Sequence, residues 1–301
     1  MLMHFRAALV VALPLFLVCC TSNGPRPETV LASGQSGPAA LVSDGTHLYW
    51  VNATGGQVMR LPLAGGAPEV LASGQAQPEA LALSASHVYW ANRQNGTVMR
   101  VPLAGGTITG VASDQGTPRA VAVAGNHVYW SDASGLFMRA PLAGGTPEPV
   151  SPSTSGPNAI AANATHVYWT NADGSVRRAP LAGGPEELLA KGDLNATSLA
   201  LDANHVYWTT FWGGLYRVPL AGGTQETLAE GEDHPRALAL DGSFLYWAAG
   251  GGSGTIRRLA RSGGKPETFA AEQSEPTGIV LDSGHIYWVN EAGGTLVRAP
   301  R

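Results

Sequence analysis

The stretch His87-Val88-Tyr89-Trp90 decides the fold, because it returns along the whole chain. Its aromatic pair recurs as Tyr49-Trp50, Tyr89-Trp90, Tyr129-Trp130, Tyr168-Trp169, Tyr207-Trp208, Tyr246-Trp247 and Tyr287-Trp288, at spacings of 40, 40, 39, 39, 39 and 41 residues. Seven of the eight tryptophans are used this way, so the pairs belong to a repeating structural unit. A period near 40 residues with strand-like content is that of four-stranded sheets arranged radially, one per repeat. The reading is an all-β, seven-bladed β-propeller with antiparallel blades.

One full unit runs from Pro78 to Ser113. Ala80 to Leu83 is a short apolar run that predicts a buried inner strand, and Ser84-Ala85-Ser86 turns the chain into His87-Val88-Tyr89-Trp90. Asn92 to Gly96 is a turn signal, Val98 to Leu103 a third strand, and Ala104-Gly105-Gly106 leads into a fourth over Thr107 to Ala112. Four strands separated by Gly, Asn and Ser make a meander. Val88 and Trp90 point to one face of the second strand, His87 and Tyr89 to the other. Both faces are therefore apolar, and each must stack on a neighbouring blade. Trp and Tyr suit those gaps, burying on the order of 150–250 Å² each.

Arg60, Arg100, Arg139, Arg178, Arg217, Arg258 and Arg298 hold one repeat position. Nine residues after five of them stand Glu69, Glu148, Glu187, Glu226 and Glu267, with Thr109 in the second unit. Across a tight turn that spacing sets Arg opposite Glu, a cross-strand pair contributing about 0.2–1 kcal/mol. The last unit ends at Arg301 without a fourth strand, and Pro27-Glu28-Thr29-Val30-Leu31-Ala32 resembles the missing one. A strand over about 27–33 should close the ring by completing the C-terminal blade, with Glu28 facing Arg298.

The net charge of −4 and the lack of a long basic run argue against nucleic acid as a partner. Both cysteines, Cys19 and Cys20, precede the repeats, so no disulfide or thiolate metal site supports the fold. His4 and Arg6 precede an apolar run from Ala7 to Val18, a secretory signal too short to span a bilayer comfortably. Leu17-Val18-Cys19-Cys20 resembles a bacterial lipobox, although Cys19 stands where Gly, Ala or Ser is usual. That resemblance implies a lipoprotein signal over residues 1–19, lipidation at Cys20 and a tether over 20–26 before the propeller at 27–301. With Thr21 after Cys20, it also implies outer-membrane attachment; otherwise the chain would be periplasmic or secreted.

His166-Val167-Tyr168-Trp169-Thr170-Asn171 and Gly174-Ser175-Val176-Arg177-Arg178-Ala179-Pro180-Leu181 resemble the YWTD repeat of low-density-lipoprotein-receptor propellers, and the wider NHL-like superfamily is similar. Only Asp132 keeps the acidic position of that motif; Asn52, Asn92, Asn171 and Asn290 hold it in four other repeats, and Thr210 and Ala249 in the remaining two. The receptor propellers have six blades, whereas seven are counted here. The resemblance implies a fold but no single activity, because this superfamily includes binding platforms, lyases and lactonases.

Two sets of residues compete as sites. His47, His87, His127, His166, His205 and His285 recur near the first turn of their blades, with Phe244 in the seventh; they are too dispersed to converge on one ion and read as packing or turn groups. Non-repeating residues are the better pointers. Phe211 and Trp212, with His234 and Arg236 and beside Lys191 and Asp193, form a candidate ligand pocket. An alternative catalytic set is His234 with Glu232 and Asp233, as the lyase and lactonase resemblance suggests. No second His accompanies it, and inner-strand segments such as Ala120-Val121-Ala122-Val123 carry no polar side chains. The expectation is a monomeric cell-envelope lipoprotein that uses neither cofactor nor metal. Its propeller would bind an envelope protein, a peptide or a glycan, touching the membrane only through its anchor. The alternative is a secreted, metal-assisted lyase or lactonase.

Overall fold

A computed structural model describes residues 26–151, 157–251 and 254–301. The signal over 1–19, Cys20 and all of the expected tether except Arg26 lie outside the described residues. Those described form seven four-stranded antiparallel sheets. The first blade is Pro38–Ser43, His47–Asn52, Gln57–Pro62 and Glu69–Ala72, and the second is Pro78–Leu83, His87–Asn92, Thr97–Pro102 and Thr109–Ala112. Blades three to six follow over 118–151, 157–191, 196–229 and 235–273. The seventh takes Pro276–Leu281, His285–Asn290 and Thr295–Pro300 from the C-terminus and Thr29–Ala32 from the N-terminus. Inner strands of successive blades lie side by side, and the seventh adjoins the first, so the ring closes.

Seven apolar clusters join the blades, one at each interface. In each, the Tyr face of one second strand meets the Trp face of the next. Tyr49 and Val51 pack with Val88 and Trp90, and Tyr89 and Ala91 pack with Val128 and Trp130. All seven paired tryptophans are at most 1% exposed. At the closing interface, Ala32, Tyr287 and Val289 meet Leu48 and Trp50.

Burying an indole strands its N–H, and the connections between blades supply an acceptor. Nε1 of Trp50, Trp90, Trp130 and Trp288 donates to the Oε1 of Gln35, Gln75, Gln115 and Gln273 at 3.1, 3.0, 2.9 and 2.7 Å. In three of these blades the same oxygen accepts from Asn52, Asn92 or Asn290. At the other end of the second strand, Asp44 Oδ1 accepts the backbone N–H groups of Thr46 and His47, while Oδ2 accepts the Tyr49 hydroxyl at 2.8 Å. Asp202 and Asp282 repeat that arrangement with Tyr207 and Tyr287. The repeated histidines sit in these turns. Nδ1 of His47, His87 and His166 is in hydrogen-bond contact with Thr46, Ser86 and Thr165 at 2.9, 2.8 and 2.8 Å.

The five expected Arg–Glu pairs form across the third and outer strands, at 2.6 to 2.9 Å. Their Glu members are half exposed, which keeps each contribution small. The guanidinium does more than the spacing foretold. Nη1 of Arg139 donates to the Leu181 carbonyl of the next blade at 3.1 Å, and Arg60, Arg100 and Arg178 reach Leu103, Leu142 and Leu220 likewise.

Glu28 does not face Arg298. Thr29 does, and Glu28 instead accepts from Gln273 Nε2 at 3.1 Å. Thr29 separates Glu28 from Val30, whereas Glu69 adjoins Val70 directly; the extra residue moves Glu28 beyond the ladder. Strand limits also shift. The second blade's inner strand begins at Pro78 rather than Ala80, and its outer strand begins at Thr109 rather than Thr107. A proline is tolerated at a first strand position, where no ladder donor is needed.

Two stability predictions follow from these caps. Gln75→Ala leaves the Trp90 N–H and Asn92 without their shared acceptor and should cost about 1–3 kcal/mol in urea denaturation. Acid should also weaken the ring. Burial opposes ionisation of Asp44, but hydrogen bonds from Thr46, His47 and Tyr49 outweigh it and bring its carboxyl from 3.8 down to about 2. Asp202 and Asp282 are lowered by similar bonds that overcome burial. A depressed carboxylate stabilises the fold above its unfolded value and loses that contribution as pH falls through its folded value. Melting temperature should therefore decline between pH 4 and pH 2, and less steeply in Asp44→Ala.

Candidate functional site: the axial mouth

The inner strands enclose an axial cavity of ≈ 960 Å³. Its wall is apolar, built from residues such as Leu41, Leu81, Val121, Ile160, Leu199, Leu238 and Ile279. Much of its polar lining comes from one feature of the blades. Each inner strand breaks register with its neighbour just after its first residue, as between Pro78 and Ala80, Pro118 and Ala120, and Pro235 and Ala237. Such a bulge re-aims the side chain it carries. The residues so placed, Ala39, Glu79, Arg119, Asn158, Thr197, Arg236 and Thr277, all line the cavity.

Apart from Arg236, these positions were missed when the inner strands were read as carrying no polar groups. The inner strand of the third blade opens at Pro118, two residues before the apolar run that begins at Ala120. One signal could have found them: this residue varies from repeat to repeat, while Pro stands before it in six of the seven repeats and Ala after it in five.

Three of the polar side chains tie blade to blade. Asn158 Nδ2 donates to the Ala196 carbonyl at 3.0 Å, Thr197 Oγ1 to the Pro235 carbonyl at 2.6 Å, and Thr277 Oγ1 to the Pro38 carbonyl at 3.3 Å. Among the charged residues Arg236 is also held across blades, by Glu291 of the seventh, whereas Glu79 and Arg119 are not. Glu79 Oε1 meets Arg93 Nη1 at 3.4 Å, while its buried Oε2 has no hydrogen-bond partner among the described residues. Burial is the main influence on this carboxyl and pushes it above the usual carboxylate range, Glu291 adding to the rise while Arg93 and Arg119 oppose it. Arg236 Nη1 reaches Glu291 at 3.3 Å. Its lane is kept open by Gly250, where a Cβ would lie 2.7 Å from Arg236 Nε. Arg119 is exposed, and its side chain makes no ion pair or hydrogen bond to the described residues. Three arginines and Glu79 line the cavity, with Glu291 against Arg236.

The aromatic part of the site lies on the fifth blade. Phe211 and Trp212 line the cavity, edge to face with centroids 5.1 Å apart. Trp212 is 68% exposed, unlike the other seven tryptophans. The His234 ring packs edge-on to Phe211 at 4.6 Å, and its Nδ1 contacts Asp233 at 2.7 Å. His234 has φ 46°, but Gln77, Asn195 and Glu275 adopt the same left-handed turn before their inner strands, at 57°, 61° and 55°. That conformation therefore belongs to the scaffold.

Of the sequence-predicted pocket residues, Phe211, Trp212 and Arg236 line the cavity and His234 flanks it. Lys191 ends an outer strand opposite Ser175, away from the cavity lining. Asp193 accepts the Tyr216 hydroxyl, and Glu232 is ion-paired with Arg257 at 3.0 Å. Asp193 and Glu232 stand fifteen residues before Trp208 and Trp247, where four of the other five blades carry the capping Gln. Both indole N–H groups are buried without an acceptor among the described residues. Among those residues no group of three His, Cys, Asp or Glu is placed to hold a metal ion.

No protein-family model and no curated protein matches the chain. Solved structures do. Virginiamycin B lyase from Staphylococcus aureus superposes with a TM-score of 0.77 at 16% identity, covering 91% of this chain and 98% of its own. The β-propeller domain of Cps50 (Swd1) from Myceliophteria thermophila gives 0.75 at 12% identity, with coverage of 91% and 100%. A structure from the nidogen/laminin complex gives 0.61 at 20% identity, with coverage of 74% and 92%. The likeness is one of fold.

Acrylamide separates the two tryptophan populations. Quenching should reach Trp212 alone, and Trp212→Phe should leave a fluorescence that acrylamide barely reduces.

Proposed function

We propose that this chain is an exported cell-envelope protein, lipid-anchored at Cys20, whose propeller is a binding platform for an envelope protein, a peptide or a glycan. The ligand sits at the axial mouth. The observation that carries this reading is the convergence of non-repeating side chains on one apolar-walled cavity. Glu79, Arg93, Arg119, Phe211, Trp212 and Arg236 come from four different blades, yet all line it. Concave sites with a mostly apolar wall and a few converging polar groups are the usual form of a ligand pocket. The inter-blade ties use Asn158, Thr197, Thr277 and Arg236 and leave Arg119 for a ligand.

A second reading, catalysis of the lyase or lactonase kind around His234, has one observation in its favour. Asp233 and His234 form a carboxylate–imidazole pair beside the mouth, an arrangement that orients a general base. Glu232, the third member of that set, is held by Arg257 and is only 10% exposed in its side chain.

Tryptophan fluorescence tests both readings on the purified protein. Ligands from a panel of peptides and oligosaccharides that occupy the mouth should perturb emission, and Trp212→Phe should abolish the response. A ligand that binds without changing Trp212 emission would place the site elsewhere. Turnover of a bound ligand that is lost in His234→Ala, with the fold and binding intact, would favour the catalytic reading.

A further inference from the structure

Resting on the reading that the mouth is a ligand site, the geometry points to a carboxylate-bearing oligosaccharide as its ligand, with the carboxylate on Arg119 and a sugar ring against Trp212. The charged inventory of the mouth leads there. Arg236 has Glu291, and Arg93 has one oxygen of Glu79. Arg119 stands on the blade adjoining Glu79, close enough to act on it electrostatically, yet bonds to nothing among the described residues. A planar guanidinium with free donors matches a carboxylate in a two-bond fork. Glu79 is already held by Arg93 in this corner, and a ligand carboxylate at Arg119 would take a guanidinium that no described residue bonds.

The aromatic side of the mouth selects the rest of the ligand. Trp212 offers a broad exposed indole at the cavity edge, braced by Phe211, with polar groups around it. A sugar ring places its C–H face on such a surface while its hydroxyls remain bonded to polar neighbours. An extended peptide would instead add to an unpaired strand edge. Each inner strand is the edge of its four-stranded sheet, and a peptide pairing there through its main chain would use neither the Trp212 indole nor the Arg119 guanidinium.

The test is titration calorimetry of the purified protein with a short oligogalacturonide, its methyl-esterified form and an oligoglutamate of similar charge. The ester keeps the rings and removes the charges. The oligogalacturonide should bind, and both esterification and Arg119→Ala should weaken it about tenfold or more, as loss of a charge-assisted bond implies. Arg119→Lys, which keeps the charge but not the fork, should fall between. Glu79→Gln should tighten binding, and Trp212→Ala should weaken the sugar without unfolding the ring, as circular dichroism would verify. Equal binding of acid and ester, with Arg119→Ala silent and Trp212→Ala harmful, would overturn the anion assignment and leave the mouth as the site. Binding indifferent to both Arg119→Ala and Trp212→Ala would overturn the mouth reading itself. Preference for oligoglutamate, or no binding of the oligogalacturonide, would overturn the carbohydrate assignment.

Discussion

Everything in this molecule depends on the contact between a Tyr face and a Trp face across neighbouring blades. Each second strand is apolar on both sides, so no blade can be stable alone. The interface recurs seven times with nearly the same side chains. Because each blade is wedged between two others, an open ring would leave two such faces wet. Closure by Thr29–Ala32 is thus a requirement of the packing, and it also pairs an otherwise exposed strand edge.

The polar groups of the repeat serve that contact. Burying an indole N–H and a phenol hydroxyl at every interface would be costly if they were left unpaired. Gln caps the indole from the incoming connection, and Asp44, Asp202 and Asp282 cap the phenol from the turn at the opposite end. The arginine series adds a second tie, gripping a Glu in its own blade and a carbonyl in the next. Where Asp193 and Glu232 replace the Gln, the carboxylates turn to Tyr216 and Arg257, and the indoles lose their acceptor. These two sites surrender a scaffold bond beside the blades that carry Phe211, Trp212 and Arg236.

A ring of equivalent positions also explains how one scaffold can carry an individual site. The bulge after each strand-opening residue projects one side chain per blade toward the axis. The bulge is fixed by backbone pairing, so the residue upon it can change without disturbing the core. Asn158, Thr197 and Thr277 use the position for stapling, and Glu79, Arg119 and Arg236 use it for charge.

The sequence by itself determined the fold, the number of blades, the closing strand and the Arg–Glu pairs, because those features repeat and a repeat exposes its own constraints. Tyr-Trp spacing and the nine-residue interval are local signals that survive without coordinates. Much of the candidate site was not legible in this way. Glu79 and Arg119 are forty residues apart in sequence and look like ordinary surface charges, and only ring closure sets them on one mouth with Phe211 and Trp212. Asp193 and Glu232 looked like pocket residues because they break the repeat; the structure binds them to Tyr216 and Arg257, since the Gln position they occupy faces the interior of a blade interface. Periodicity reveals what every blade must share, whereas convergence on an axis is a property of the closed ring alone.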